Sequence, residues 1–425
     1  MRAALWLMAL FGIAVASALF AGSNHATVTL FWHPYRVDLS LNLVLLGLVL
    51  AFVVLHLALR AFSALLRIPQ QARSWRRLQQ ERSMQSALLD ALSHLIAGRF
   101  VRARKSAELV VSLEESVRRS GEHLAYASRL RTLSHLLAAE SAHALQDRGV
   151  RDAHFQWAME HAQGRDSQDV RDGVQLRGAR WAFDDRDAGA ALQWLDQLPQ
   201  GAARRTVALR LRFKAARLAG QSRLALETAR LLTKHRAFSE LAGSSIARGL
   251  AIELVRAAHD PVQLQRAWDA LDSSEQRMPA VAIEAASRLL SHGGDVATSR
   301  LWLLPVWDAM VKSPDALTAA QRVSLVRVLE SGFGMTGEAP DAAWLTRIEA
   351  AQVAQPRDAV LQYLAGIACM HLRLWGKAQQ MLRQSLSLVQ DADLRRDAWR
   401  ALAIMAEQRD DTKAADQAYR EAAKR

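Results

Sequence analysis

Four histidines, His135, His143, His154 and His161, fall within 27 residues of one another, and imidazoles at such spacing could ligate a metal. Glu140 and His143 have the ExxH spacing with which a di-iron helix presents two ligands, but no second ExxH completes a four-helix metal site, so a solvated or groove-lining pair is the favoured reading. Gly332, Gly334 and Gly337 spell GxGxxG, the pattern that cradles a pyrophosphate between a strand and a helix. Here it follows a helix-like run, VSLVRVLES, and precedes Glu338-Ala339-Pro340, so the glycines read as a loop. A P-loop, HExxH and GxSxG are absent. Cys369 is the single cysteine, which excludes an intramolecular disulfide and CxxC chemistry; its place on a helix favours core packing. His56 is the one chemically active side chain in an otherwise apolar run. It could pair with a partner helix, ligate a haem-like group, or sit at the lipid headgroups without specialised use. With no nucleophile, metal set or cofactor motif in place, the expectation is a protein that does not catalyse.

The element that must position His56 is an apolar helix. Ala3 to Ala21 carries no charge and at 1.5 Å per residue reaches about 28 Å, close to the hydrocarbon thickness of a bilayer. Leu41 to Leu59 is a second such run, interrupted by Asn42 and His56 alone. Two spans joined by a short loop predict a transmembrane hairpin. For the first run a cleaved signal peptide is the alternative, because Ala16-Ser17-Ala18 and Ala21 resemble a cleavage site. In the loop, Arg36 and Asp38 cancel, whereas the segment after the second span holds Arg60, Arg67, Arg73, Arg76, Arg77 and Arg82 against Glu81. The positive-inside rule therefore puts everything from Arg60 onward in the cytoplasm, with anionic-lipid or partner recognition as a second use of the same arginines. The loop alternates Val28, Leu30, Trp32 and Val37, Leu39 around His33-Pro34, which predicts a short hairpin at the outer interface with Phe31, Trp32 and Tyr35 at headgroup depth.

Beyond the arginines, 9 prolines and 21 glycines in 425 residues leave few interruptions to helix. The net charge of +13 owes +5 to the arginine segment, and the rest is spread along mixed-sign helices without a compact basic patch, which argues against nucleic acid. A helix-turn-helix pattern recurs in which a small residue opens the second helix: Ala103, Ala153, Ala190, Ala225, Ala297, Ala378 and Ala415. One turn further on come Ala107, Trp157, Trp194, Ala229, Leu301, Leu382 and Tyr419. Twelve residues before each opener stand Ala91, Ser141, Gly178, Phe213, Ala285, Gly366 and Ala403, mostly small, which lets paired helices approach. Gly98, Gly149, Asp185, Gly220, Gly293 and Asp410 supply the turns between them.

Several openers lie 37, 35 and 37 residues apart, near the tetratricopeptide period, and the final unit with Trp399, Ala403, Ala415 and Tyr419 fits that pattern best. No opener is identifiable between 240 and 275. The fold class expected is all-α: a two-helix transmembrane hairpin with a periplasmic loop (1–66), an N-terminal tetratricopeptide-like array (67–310), an irregular insertion containing SGFGMTGEAPD (311–357), and C-terminal repeats (358–425). Stacked pairs of this kind form an αα-superhelix whose groove binds protein segments.

With hairpin, arginine flank and repeats in order, the chain resembles the HemY family encoded in proteobacterial haem-biosynthesis operons. The segments LLRIPQQARSWRRLQQ (Leu65 to Gln80) and AGRFVRARK (Ala97 to Lys105) carry that resemblance most specifically. The resemblance implies a bacterial inner-membrane, multi-pass tetratricopeptide protein that organises or regulates late porphyrin and haem enzymes, with no catalytic residues and no obligatory cofactor. A flavin-dependent protoporphyrinogen oxidase shares the family's name but needs an N-terminal strand-GxGxxG-helix that this chain lacks. Two alternatives stand beside the scaffold: a haem or porphyrin carrier or sensor, using His56, His135, His143, His154 or His161 on iron, and an envelope-assembly adaptor. Lipopolysaccharide-assembly proteins join a span to similar repeats, but their cysteine-ligated metal module cannot be built with one cysteine.

Overall fold

A computed structural model describes residues 2–23, 26–121, 126–162, 168–333 and 342–424. The described residues are all-α apart from one two-stranded hairpin, and the chain divides into two compact units, Met1–Ala162 and Gln163–Arg425.

The first unit opens with α1 (Arg2–Ser23), a helix over the first apolar run, followed by antiparallel β1 (Thr27–Trp32) and β2 (Tyr35–Ser40). Then comes α2 (Leu41–Ile96), 56 residues in one piece and thus about 84 Å long. It starts where Ser40 caps the amide of Leu43 and stops where Gly98, at φ 70°, turns the chain in the left-handed region that glycine occupies without strain. Among the described residues, its Leu41–Phe62 portion is the one helix long and apolar enough to cross a membrane. The expected boundary at residue 66 is corrected: the apolar run and the first packing helix are one element. Arg, Gln, Leu and Glu after residue 66 are good helix formers, and the helix runs on through them.

α2 packs on α3 (Phe100–Arg119), followed by α4 (Ala127–Ala144) and α5 (Arg148–His161). Ala91, Ala107 and Ala138, all fully buried, let α2, α3 and α4 meet at close range; Met84, Ala87, Val110, Val117 and Leu130 form the larger apolar cluster beside them.

The second unit is built from further helix pairs: α6 (Gln168–Asp184) with α7 (Ala188–Asp196), α9 (Thr206–Leu218) with α10 (Ser222–Lys234), and α11 (Glu240–Arg256) with α12 (Pro261–Asp269). There follow α14 (Pro279–Ser291) with α15 (Val296–Lys312), α16 (Ala319–Ser331), α17 (Ala342–Ala354), α18 (Ala359–His371) with α19 (Trp375–Leu388), and α20 (Ala392–Glu407) with α21 (Thr412–Ala423). Single turns α8 (Gln200–Ala203) and α13 (Ser273–Gln276) follow α7 and α12. First helices of successive pairs touch, α11 on α14 and α18 on α20, so one apolar core runs from Ala216 to Ala418. The segment 311–357, expected to be irregular, contains α16 and α17. Its breakers cluster in 332–340, where Gly332 ends α16 and residues 334–341 lie outside the described ones.

A single rule sets the phase of the pairs. The fourth residue of the second helix is buried in every case: Ala103, Arg151, Ala191, Ala225, Leu264, Ser299, Ala378 and Ala415. In six pairs the residue five positions earlier takes a left-handed conformation: Gly98, Gln146, Arg186, Gly220, Arg373 and Asp410. Three expected openers are therefore displaced. Ala153 and Ala297 are exposed and Ala190 is half-buried, because Arg151, Ser299 and Ala191 hold the buried position. The unit sought between 240 and 275 opens with Leu264, which is not small. Gly149 lies inside α5, its turn being made by Gln146, and the turn assigned to Asp185 is made by Arg186. Trp399 is half-buried, while Tyr419 is 40% exposed and Leu301 66% exposed, so those two contribute little to the core.

Gly366 shows why a small residue is needed opposite the second helix. A Cβ built there would lie 2.7 Å from Cγ of Leu382 and 3.2 Å from its backbone nitrogen, so α18 and α19 touch backbone to side chain.

Candidate functional site

The histidines of α4 and α5 converge. On α5, His154, Trp157 and His161 recur at spacings of three and four, which puts them on one helical face. On α4, Arg131 and His135 stand one turn apart and face them. His135 Nδ1 lies 2.8 Å from His154 Nδ1, so one ring donates and the other accepts. The rings of His135 and His161 both stack on Trp157 with centroids 3.9 Å away, which is van der Waals contact and leaves no room for a planar group between them. His161 Nδ1–H donates to the Trp157 carbonyl at 3.0 Å, and the Arg131 guanidinium lies 5.4 Å from the Trp157 ring centroid.

Charged residues from α3 enclose the cluster. Arg131 is ion-paired with Glu114, whose side chain is almost fully buried, and Glu108 sits 3.7 Å from His154 Nε2. Arg104 donates to Asp147 at 3.1 Å, and Asp147 in turn caps α5 by accepting from Val150 N–H. Arg151 donates to His143 Nδ1 at 3.2 Å and to Asp152 at 2.8 Å.

Burial, then the neighbouring His154, Arg131 and His161 charges, push His135 down to about 4. Burial also lowers His154, against an opposing pull from Glu108. Both rings are consequently neutral at neutral pH; the accepting ring's lone pair is taken up by the Nδ1–Nδ1 hydrogen bond, and the donating ring keeps its Nε2 lone pair as acceptor or metal ligand. Glu140 lies one turn before His143 on α4. Among the described residues no group of three or more His, Cys, Asp or Glu could hold a metal ion.

The other residues singled out by sequence lie elsewhere. His56 is exposed on the apolar part of α2, its ring 6.4 Å from that of Phe52. Arg60 and Arg76 are exposed on α2; Arg67, Arg73 and Arg77 are helical there, and their side chains lie outside the described residues. Cys369 is buried on α18, and burial pushes its thiol up. Gly332 ends α16, whereas Gly334 and Gly337 lie outside the described residues.

Sequence reasoning missed the ionic frame of the histidine cluster, Arg104, Glu114 and Arg131, because its partners come from separate helices with no fixed spacing. It also missed a cavity of about 530 Å³ in the second unit, beside α10, α11 and α13. Phe238, Ala247 and Met278 give this cavity an apolar side, and its charged lining is mixed, Lys234 and Arg236 standing with Glu240, Asp272 and Glu275. Arg230, also on its wall, is committed to Glu275 at 2.5 Å and Asp272 at 3.0 Å.

Residues 26–146 match the family model described as the HemY protein N-terminus. The match runs from the β-hairpin through α4 and ends at Gln146, so it includes His135 but not His154, Trp157 or His161. No curated protein matches the chain. Solved structures similar to it include the APC/C hetero-tetramer Cut9–Hcn1, 14% identical over 80% of this chain and 66% of that one, with a TM-score of 0.28. Naa15/Naa10 bound to HypK-THB is 11% identical over 77% of this chain and 57% of that one, TM-score 0.25. The TPR domain of P58(IPK) is 13% identical over 80% of this chain and 99% of that one, TM-score 0.22. The chain thus spans about two thirds or less of the first two, and the scores are too low to bear on partners.

Proposed function

Proceeding from a chain whose residues 26–146 are a HemY-family N-terminal domain, we propose that it is a membrane-tethered scaffold or regulator, not an enzyme, that holds proteins of late haem and porphyrin synthesis at the cytoplasmic face of a bacterial inner membrane. The observation that carries this reading is α2, in which the apolar Leu41–Phe62 portion and the first packing helix of the repeats are one continuous element. A groove joined to a span without a flexible linker works at the bilayer surface, where confinement raises the local concentration of any enzyme it holds. α1 supplies the second span of the hairpin. The arginines from Arg60 to Arg82 set the orientation, with the repeats in the cytoplasm.

Co-purification of the full-length chain from native membranes in mild detergent tests the reading: late haem-pathway enzymes are expected by mass spectrometry. A chain lacking residues 1–68 that supports haem synthesis as well as the full chain would remove the tether from the mechanism.

A second reading, a haem or porphyrin carrier or sensor, draws on the neutral His135–His154 pair, whose ring nitrogens are of the kind that bind haem iron. It predicts a Soret band on the purified chain that is lost in His135→Gln and His154→Gln; a chain without the band has no such role.

A further inference from the structure

The register of the β-hairpin sorts its side chains by polarity. Thr27 pairs with Ser40, Thr29 with Asp38 and Phe31 with Arg36, whereas Val28 pairs with Leu39, Leu30 with Val37 and Trp32 with Tyr35. Directly paired residues share a face and alternate residues point the same way. One face is therefore wholly apolar: Val28, Leu30, Trp32, Tyr35, Val37 and Leu39. The opposite face is polar apart from Phe31, which is 77% exposed; the Arg36 guanidinium lies 5.5 Å from its ring centroid, and Arg36 Nε donates to Asp38 at 3.4 Å.

That apolar face is open. Trp32 is 75% exposed and Tyr35 73%, with Leu30 and Val37 also exposed. An isolated two-stranded hairpin is at best marginal in water and needs an apolar cover. The hairpin is clamped to the end of the apolar helix, because Leu41 N–H donates to the Ala26 carbonyl at 2.9 Å and Leu41 follows Ser40 directly. The uncovered face thus continues, without an intervening residue, into a 22-residue apolar helix that is equally uncovered.

We propose that the apolar face of the hairpin lies on the membrane surface at the N-terminal end of α2, with Val28, Leu30, Val37 and Leu39 against the acyl boundary and Trp32 and Tyr35 at headgroup depth. This rests on the reading that Leu41–Phe62 crosses the membrane. Lipid is the occupant that fits, since the face carries no charge and no hydrogen-bonding group except at its far end. There it carries a Trp and a Tyr, the side chains that membrane–water interfaces enrich. The opposite face, with Thr29, Asp38 and the Phe31–Arg36 pair, points to water. Phe31 is accordingly separated from Trp32 and Tyr35, with which the sequence grouped it.

The test places single cysteines in full-length chain carrying Cys369→Ala, at Leu30 and Val37 on the apolar face, Thr27 and Thr29 on the polar face, and Leu50 in the span. Each is labelled with an environment-sensitive fluorophore in phosphatidylcholine nanodiscs with and without doxyl-labelled lipid. The expected result is blue-shifted emission and loss of most fluorescence to doxyl lipid at 30, 37 and 50, with neither at 27 and 29. Quenching at 50 with 30 and 37 behaving like 27 and 29 overturns the hairpin proposal and leaves the span intact. Shielding of 30 and 37 from aqueous iodide without quenching by doxyl lipid means that protein covers the face, and also overturns it. Absence of quenching at 50 removes the span and the hairpin assignment with it.

Discussion

His135 and His154 occupy a site that tolerates neutral rings only. The 2.8 Å contact between their Nδ1 atoms needs one ring to accept, and a proton on each would set two cations against each other beside Arg131. With the folded-state value of His135 depressed from the usual 6.5 to about 4, the unfolded chain binds the proton more readily. Stability is therefore full above pH 6.5 and is lost as pH falls towards 4. Thermal unfolding followed by circular dichroism between pH 7 and pH 4.5 should show the midpoint falling, and His135→Gln should flatten that dependence; an unchanged slope would mean that His135 is not the group responsible. A second residue-scale expectation concerns Gly366. Gly366→Ala forces its methyl into Leu382 and should cost about 1–3 kcal/mol, as overpacked cores do. Adding Leu382→Ala should recover part of the loss, since the two changes share one contact; full additivity in urea unfolding would count against the clash.

At the scale of the element, the left-handed residue before six of the eight second helices is the recurrent device. Glycine holds it at 98 and 220, but arginine holds it at 186 and 373, where a Cβ makes the conformation costly. Arg373→Gly should therefore stabilise the second unit by about 1 kcal/mol, read as a higher midpoint in urea; destabilisation would show that the Arg373 side chain makes a contact of greater worth. The same device explains what the sequence conceals. Alanine at the fourth helical position makes a pair easy to find at Ala103, Ala225, Ala378 and Ala415. Where Arg151, Leu264 or Ser299 fills that position, a search for small residues drifts to Ala153 and Ala297 or finds nothing, because burial is set by position in the helix and not by side-chain size. Two apolar runs and an arginine flank are legible in composition alone. The fusion of the second run with the packing helix is not, because Pro69, which lacks an N–H and crowds the preceding turn, reads as a boundary in the sequence. The four histidines are visible as candidates, but the assembly of His135, His154 and His161 about Trp157 depends on the crossing of α4 and α5, which no single-helix period encodes.

For the molecule as a whole, with Leu41–Phe62 proposed to span the membrane, the continuity of α2 makes the link from bilayer to repeats a matter of angle as well as distance. A flexible tether would transmit only reach. A continuous helix transmits azimuth: each residue added between the span and Met84 rotates the first pair by about 100° about the helix axis and lifts it by 1.5 Å. Alanine insertions near residue 78 should thus affect function periodically. One or two residues would swing the packing face of α2, with Met84, Ala87 and Ala91, away from its heading relative to the span; seven would return it to within about 20° at a cost of roughly 10 Å in height. Complementation that declines smoothly with insertion length would make α2 a spacer. Recovery at seven residues after loss at two would make it a gear, by which a rotation of the apolar segment within the bilayer is delivered, degree for degree, to the helices that meet the partner.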